Sequence, residues 1–405
     1  MTEFTDFLHT QRATQTQFLA ELVRMPSDNP PADCAAHAER TAQLLEAMGL
    51  HVERHPVPPE LVRAHGLTSI TNLVVRHRFG DGPVIALNAH GDVVPPGDGW
   101  TADPYGAEIR DGWMYGRGAA VSKSDFATYA FALLALLQSG QKLRGAVELH
   151  FTYDEESGGE LGPAWLLREG ISRPDFAICA GFSYAVIEAH NGVLHLEIEV
   201  TGRSAHAAKP ETGIDALEAA TGILAALYAW RKTLRARASA VAGIGAPQLN
   251  VGLIEGGINT NVVPDRVVFR LDRRIVPEER PEEVERELHA VIAQAAAAFP
   301  AARVKVRRIM LATPLTPLPG AERLGALLCT HAARVMGEPV GTAGVPLYTD
   351  ARHYAAAGVP VVLYGAGPRT IEEANAHRAD ERVPLEDLHR ATEVVAMTLR
   401  DFLAA

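Results

Sequence analysis

The distribution of apolar positions divides the chain into three stretches. Up to about Gly192, helical patterns (Thr5 to Val23, Ala35 to Met48) alternate with near-continuous apolar runs, "NLVVRHR", "PVIALNA", "AVELHFTY" and "DFAICA". The run "FATYAFALLALLQ" reads as a helix among them. Apolar strands separated by helices predict an α/β fold with a mostly parallel sheet covered on both faces. Beyond Gly192, "VLHLEIEVTG" alternates strictly, as a half-exposed strand does. A helix (about Ile214 to Arg235), strands "QLNVGLI" and "RVVFRLDRR", a helix (about Pro281 to Phe299) and the strand "ARVKVRRI" follow. That order, β-α-β-β-α-β, is the ferredoxin-like arrangement. Past about Met310 the first style returns, with a helix from Gly320 to Met336, the strand "VPVVLYGAG" and a helix from Pro384 to Leu403. The pattern predicts a discontinuous α/β domain, residues 1–192 and 309–405, interrupted by a small α+β domain, residues 193–308.

Composition narrows the function classes. A chain of 405 residues exceeds one ordinary core, and 47% hydrophobic with 21% charged residues suits a soluble protein. The formal net charge of −11 leaves no nucleic-acid footprint. Cys34, Cys179 and Cys329 lie far apart, which excludes a disulfide framework and fits a reducing compartment. The N-terminal "MTEFTDFLHTQRATQ" has no apolar core of a secretion signal, and "FALLALLQSG" is too short to span a bilayer. A cytoplasmic protein without a membrane partner is expected.

In open α/β sheets ligands bind beyond the carboxyl ends of the strands. Past "PVIALNA" come His90, Gly91 and Asp92; past "AVELHFTY" come Asp154, Glu155 and Glu156; past "VPVVLYGAG" come Asn375, His377, Asp380 and Glu381. Singly, a histidine at a strand end is an ordinary polar residue, and three adjacent acids make an ordinary solvated turn. Together, at one edge of one sheet, they are the donor set of a zinc hydrolase. Two consecutive glutamates suit this, one as ligand and one aimed at the attacking water. Asp92 is placed either to orient the His90 imidazole or to open the turn "DVVPPGDG". The glycine-rich "GRGAAVSKS" fits neither phosphate-binding pattern: Lys123 follows a serine, and Val121 and Ser122 occupy the places of a third glycine.

With these motifs in hand, the chain resembles the M20 family of metallopeptidases and deacylases, the group of acetylornithine deacetylase, succinyl-diaminopimelate desuccinylase and glutamate carboxypeptidases. The resemblance covers nearly the whole chain. "HGDVVPPGDGW" implies His90 as a metal ligand with Asp92 as its carboxylate partner. "YDEESGG" implies Glu155 as general base and Glu156 as ligand, and "GAGPRTIEEANAHRADERV" implies His377 as the last ligand and Gly367 at the substrate. In the inserted domain, a lid and dimerisation domain in the family, "TGRSAHAAKPETGIDA" implies His206 as the group that polarises the substrate carbonyl, from the partner subunit of a homodimer. "GGINTNVVPD" and "LDRR" point to Asn261 and Arg274 for the substrate carboxylate. The implied activity is hydrolysis of an amide bond in a small amino-acid-like or peptide substrate, with a divalent metal, zinc foremost and cobalt or manganese as alternatives.

Two positions depart from that family. The aspartate that bridges two metals in "GRGAADMKG" is here Val121, and the acid that completes one metal site is Gly181, with no carboxylate between Asp175 and Glu188. Three readings stay open. One metal is held by His90, Glu156 and His377, with Glu155 as base. Alternatively, two metals persist with Asp125 or Cys179 as substitute ligands. In the third reading no catalytic metal binds, and the cleft holds an amino-acid-like ligand. Asp125 also has a purely structural reading: Ser122 to Asp125 has the spacing of a helix-capping box, in which Asp125 accepts the Ser122 backbone N–H.

Overall fold

The computed structural model describes residues 3–404. In chain order the first half comprises α1 (Glu3–Val23), α2 (Ala35–Ala47), β1 (Val52–Pro56), α3 (Pro59–Ala64), β2 (Thr71–Arg78) and β3 (Val84–His90). It continues with β4 (Glu108–Arg110), β5 (Trp113–Tyr115), α4 (Lys123–Gln138), β6 (Ala146–Thr152), α5 (Pro163–Arg168), β7 (Phe176–Cys179) and β8 (Val186–His190). The middle is β9 (Gly192–Thr201), α6 (Ala216–Thr233), β10 (Gln248–Gly256), β11 (Arg266–Ile275), α7 (Pro281–Ala296) and β12 (Arg303–Ala312). The last part is α8 (Ala321–Met336), β13 (Thr342–Val345), α9 (Ala351–Ala356), β14 (Val361–Leu363), β15 (Arg382–Pro384) and α10 (Leu385–Phe402).

The chain forms two compact units. The larger is Met1–Glu188 with Pro317–Ala343 and Thr349–Ala405; the smaller is Ala189–Thr316 with Gly344–Tyr348. An eight-stranded sheet in the order β1-β2-β6-β3-β7-β14-β8-β13 organises the larger unit. Its centre is parallel, since β3 pairs β6 and β7 in parallel and β14 joins β7 likewise. The flank is antiparallel through β1, β2 and β6. The mixed α/β fold expected from the apolar pattern is thus present. The smaller unit carries an antiparallel sheet in the order β10-β11-β9-β12. Its buried face (Leu194, Leu196, Ile198, Val200) packs with Ala219, Ile223 and Leu227 of α6 and Val284, Leu288 and Ile292 of α7.

Strand β6 is buried along its whole length, yet its two faces differ in chemistry. Val147, Leu149 and Phe151 point into the main core, where the Phe151 ring stacks on Phe126 of α4 with centroids 4.0 Å apart. On the other face Glu148, His150 and Thr152 form a buried polar row. Period-two alternation makes this division, and it delivers the residues after β6 to the sheet edge on a rigid support. Among the described residues no helix is long and apolar enough to cross a membrane.

Replacing Phe151 by Ala leaves a cavity against Phe126 and is expected to destabilise the larger unit by about 3–5 kcal/mol. The check is a lower urea midpoint with an unchanged m-value.

Candidate metal centre and active site

His90 is the last residue of β3, 5% exposed, and its backbone is fixed by Ser122, whose Oγ accepts from the His90 N–H and donates to its carbonyl, both at 3.1 Å. The ring Nδ1 lies 3.0 Å from the Asp92 carbonyl oxygen and 3.4 Å from its carboxylate. Both neighbours are acceptors, so in the neutral ring Nδ1 carries the proton and Nε2 has the lone pair. That lone pair faces Glu155, whose Oε2 is 3.9 Å away. The Asp92 carboxylate, fully buried, makes its closer bonds elsewhere. It accepts the backbone N–H of Glu155 (3.2 Å) and of Glu156 (3.1 Å) and the side-chain amide of Asn29 (2.9 Å). Asp92 therefore grips the glutamate turn as well as neighbouring the histidine.

Glu155 to Ser157 form one 3₁₀ turn directly after β6. His90, Glu155 and Glu156 each offer a ligand atom within 4.8 Å of the others, the one such group of three among the described residues. His377 joins from the C-terminal loop, with Nε2 3.2 Å from Glu156 Oε1. The surroundings carry surplus negative charge. Burial pushes the Glu155 and Asp154 carboxyls well above their usual range, and lifts Asp350 to about 7. Burial would depress His90, but the carboxylates of Glu155, Asp92 and Glu156 outweigh it and raise its proton affinity. The hydrogen bond to Glu156 raises His377 likewise. Every shift has one sense: the pocket takes up positive charge. Imidazole and carboxylate donors that run from buried His90 through half-buried Glu155 and Glu156 to exposed His377, with no cation beside them among the described residues, fit a divalent metal.

The positions where the family motif changes are closed. Val121 is partly exposed and offers no lone pair. At Gly181 a Cβ would come within 2.9 Å of the Tyr364 backbone nitrogen and 3.1 Å of the Leu363 carbonyl carbon, so no side chain fits. Asp125, 1% exposed, accepts the N–H of Ala366 at 2.7 Å and of Gly181 at 3.2 Å, one on each oxygen. Burial raises its carboxyl well above the ordinary range, against the pull of those two bonds. The capping box expected at this helix start is absent: Ser122 makes no side-chain cap bond, and Asp125 turns inward because the Ala366 and Gly181 donors would otherwise be buried unpaired. Glu381, beside the His377 loop, accepts the N–H of Ala120 and Val121 (both 3.1 Å) and pairs with Arg117 at 2.6 Å, both side chains 1% exposed.

Of the other expected residues, Gly367 is buried, donates to Ser183 Oγ at 3.2 Å, and lies under the Phe182 ring. Cys179 ends β7 fully buried, and burial raises its thiol well above the usual value. In the smaller unit His206 and Asn261 are exposed neighbours, since the Ala207 N–H bonds the Asn261 carbonyl at 3.0 Å. His206 Nδ1 accepts the Ala208 N–H at 3.1 Å, which leaves the hydrogen on Nε2. Arg274 is far from both: it sits at the opposite end of β11, about 26 Å along the strand at the usual rise. Its Nε donates to Asp272 at 2.9 Å, and Asp272 also holds His195 at 3.0 Å.

Sequence reasoning missed Asp350, Arg352 and His353, buried residues at the start of α9. The strand-end rule that found His90 applies to them also, but the strand before them, β13, is only four residues long and carries no alternation.

The sequence profile of "Peptidase family M20/M25/M40" matches residues 86–401. An acetylornithine deacetylase of Myxococcus xanthus is 28% identical over 403 residues, 98% of each chain. A succinyl-diaminopimelate desuccinylase of Gluconacetobacter diazotrophicus is 30% identical over 392 residues, 94% of each chain. Among solved structures, the M20 metallo-carboxypeptidase Sso-CP2 of Sulfolobus solfataricus superposes with a TM-score of 0.76 at 18% identity over 99% of each chain. The di-peptidase Dug1p of Saccharomyces cerevisiae gives 0.78 at 14% identity, over 98% of this chain and 97% of that one. The chain belongs to the hydrolase family M20/M25/M40.

Proposed function

We propose that the protein hydrolyses an amide bond in a small amino-acid-like or peptide substrate, using one divalent metal per chain, zinc in preference to cobalt or manganese. The observation that carries this reading is the convergence of His90, Glu155 and Glu156, with His377 at the rim 3.2 Å from Glu156. His90, Glu156 and His377 are the proposed ligands; two imidazoles and a carboxylate with an open position suffice for zinc hydrolysis. The bound ion supplies Lewis acidity to the water and the substrate carbonyl. Glu155 would take the proton of the attacking water and pass it to the leaving amine, a role that its place beside His90 and Glu156 supports. One metal rather than two is supported by Val121, by the lack of room at Gly181, and by the engagement of both Asp125 oxygens.

The larger unit is the proposed catalytic domain and the smaller the lid and dimerisation domain. His206 offers an Nε2–H to the developing oxyanion, while Arg274, Asn261 and Gly367 are the candidate contacts to the rest of the substrate. Arg274 lies near the end of β11 and His206 in the loop beyond the far end of the sheet, too far apart for a small molecule to touch both. Their joint use therefore requires a second copy, which supports a homodimer. Three free cysteines accord with the proposed cytoplasmic location.

Elemental analysis of zinc-replete protein is expected to give about one equivalent per chain. Two equivalents would overturn the one-metal site, and none would favour a ligand-binding protein without metal. On N-acetylornithine, N-succinyl-diaminopimelate and a dipeptide panel, Glu155→Gln is expected to lower kcat by about 10²- to 10⁴-fold while zinc content stays. Full turnover in that variant would remove Glu155 from its role.

A further inference from the structure

The turn that carries Glu155 and Glu156 ends in Gly158 and Gly159, both in left-handed backbone (φ +113° and +71°). Such glycines open many backbone conformations to the turn, which its own bonds only partly narrow: the Gly158 N–H donates to the Glu155 carbonyl and the Gly159 N–H to the Asp154 carbonyl, both at 2.9 Å. Its front is held by Asp92. Its rear is held by the start of α9, where Arg352 Nη2 and His353 Nε2 both donate to the Gly158 carbonyl oxygen, His353 at 2.8 Å. A carbonyl oxygen has two lone pairs, and here both are engaged, so that peptide cannot rotate without losing these two bonds as well as the one its N–H makes to Asp154. The space beside Gly159 is filled as well: a Cβ there would collide with Asp350 Oδ1 and come within 2.7 Å of His353 Nε2.

The start of α9 is itself anchored. Tyr354 pairs its hydroxyl with His150 Nδ1 at 2.7 Å, and His150 Nε2 meets Glu148 Oε2 at 3.0 Å. Arg76 reaches Glu148 at 3.3 Å from β2. The polar row on β6 thus fixes α9, and α9 fixes the turn. Asp350, Arg352 and His353 are all at most 8% exposed, and none belongs to the group of converging ligand atoms.

We infer that Arg352 and His353 are positioning residues: by pinning the Gly158 carbonyl they aim Glu155 and Glu156 at one point and set the affinity of the site for a divalent cation. The inference rests on the proposed roles of those two glutamates.

The test measures the zinc dissociation constant of the full-length apoprotein, by competition with a fluorescent chelator, together with hydrogen exchange of residues 154–161. His353→Leu and Arg352→Met are expected to weaken zinc binding about tenfold or more and to speed exchange in the turn. His353→Gln, which keeps an N–H in place, is expected to stay within about threefold of wild type. Far-UV circular dichroism identifies any variant that fails to fold, and the milder Arg352→Lys then replaces it. Folded variants with wild-type zinc affinity and wild-type exchange overturn the inference. Wild-type protein that takes up no zinc, with exchange still faster in the variants, overturns the hydrolase reading but supports the clamp.

Discussion

Buried carboxylates are the constraint around which this molecule is arranged. A carboxylate removed from water needs donors or a cation, and the larger unit supplies backbone N–H groups for the purpose. Asp92 takes those of Glu155 and Glu156, Asp125 those of Ala366 and Gly181, Glu381 those of Ala120 and Val121, and Asp154 that of Leu161. Each acid therefore fastens a loop at the sheet edge, and the loops so fastened are those that carry His90, the two glutamates and His377. Glu155 and Glu156 instead turn their side chains toward His90 and His377, at 3.9 and 3.2 Å.

The same constraint bears on the changed positions. Where the family motif has a bridging aspartate, a valine needs no counter-charge. The acid one helical turn further on, Asp125, is drawn away from the centre by two backbone donors. Restoring a carboxylate at position 181 is blocked by backbone packing, since the Leu363–Tyr364 peptide lies within van der Waals contact of Gly181. The departure from the family motif at these positions thus lies in how three loops pack, beyond the identity of one side chain.

Long helices were legible in the sequence to within a few residues, because amphipathic periodicity and burial agree over four or more turns, as in α8 and α10. The strand ends were legible too, because β3 and β6 are apolar throughout, and so His90 and the glutamate turn were found. Short elements were not. The run around β14 predicted nine residues of strand, but pairing covers only Val361–Leu363, since the glycines after it turn into the site wall. The strand β13 and the short helix α9 have no period to detect, and Asp350, Arg352 and His353 went unseen with them. Asp125 was read from local spacing as a cap, whereas its partners lie 56 and 241 residues away. Local patterns do not encode such partners.

The Arg117–Glu381 pair joins residues 264 apart in sequence. It is one of several such closures, with Asp125 to Ala366 and His353 to Gly158 spanning 241 and 195 residues. Contacts of such long range form late, because the chain between them must lose its freedom before they stabilise anything. During synthesis the His90 and glutamate segments emerge early and are joined through Asp92, whereas His377, Glu381 and the α9 residues that hold Gly158 arrive only with residues 350–381. The Arg117 side chain and the Gly158 carbonyl consequently lack these partners until the last part of the chain has been made.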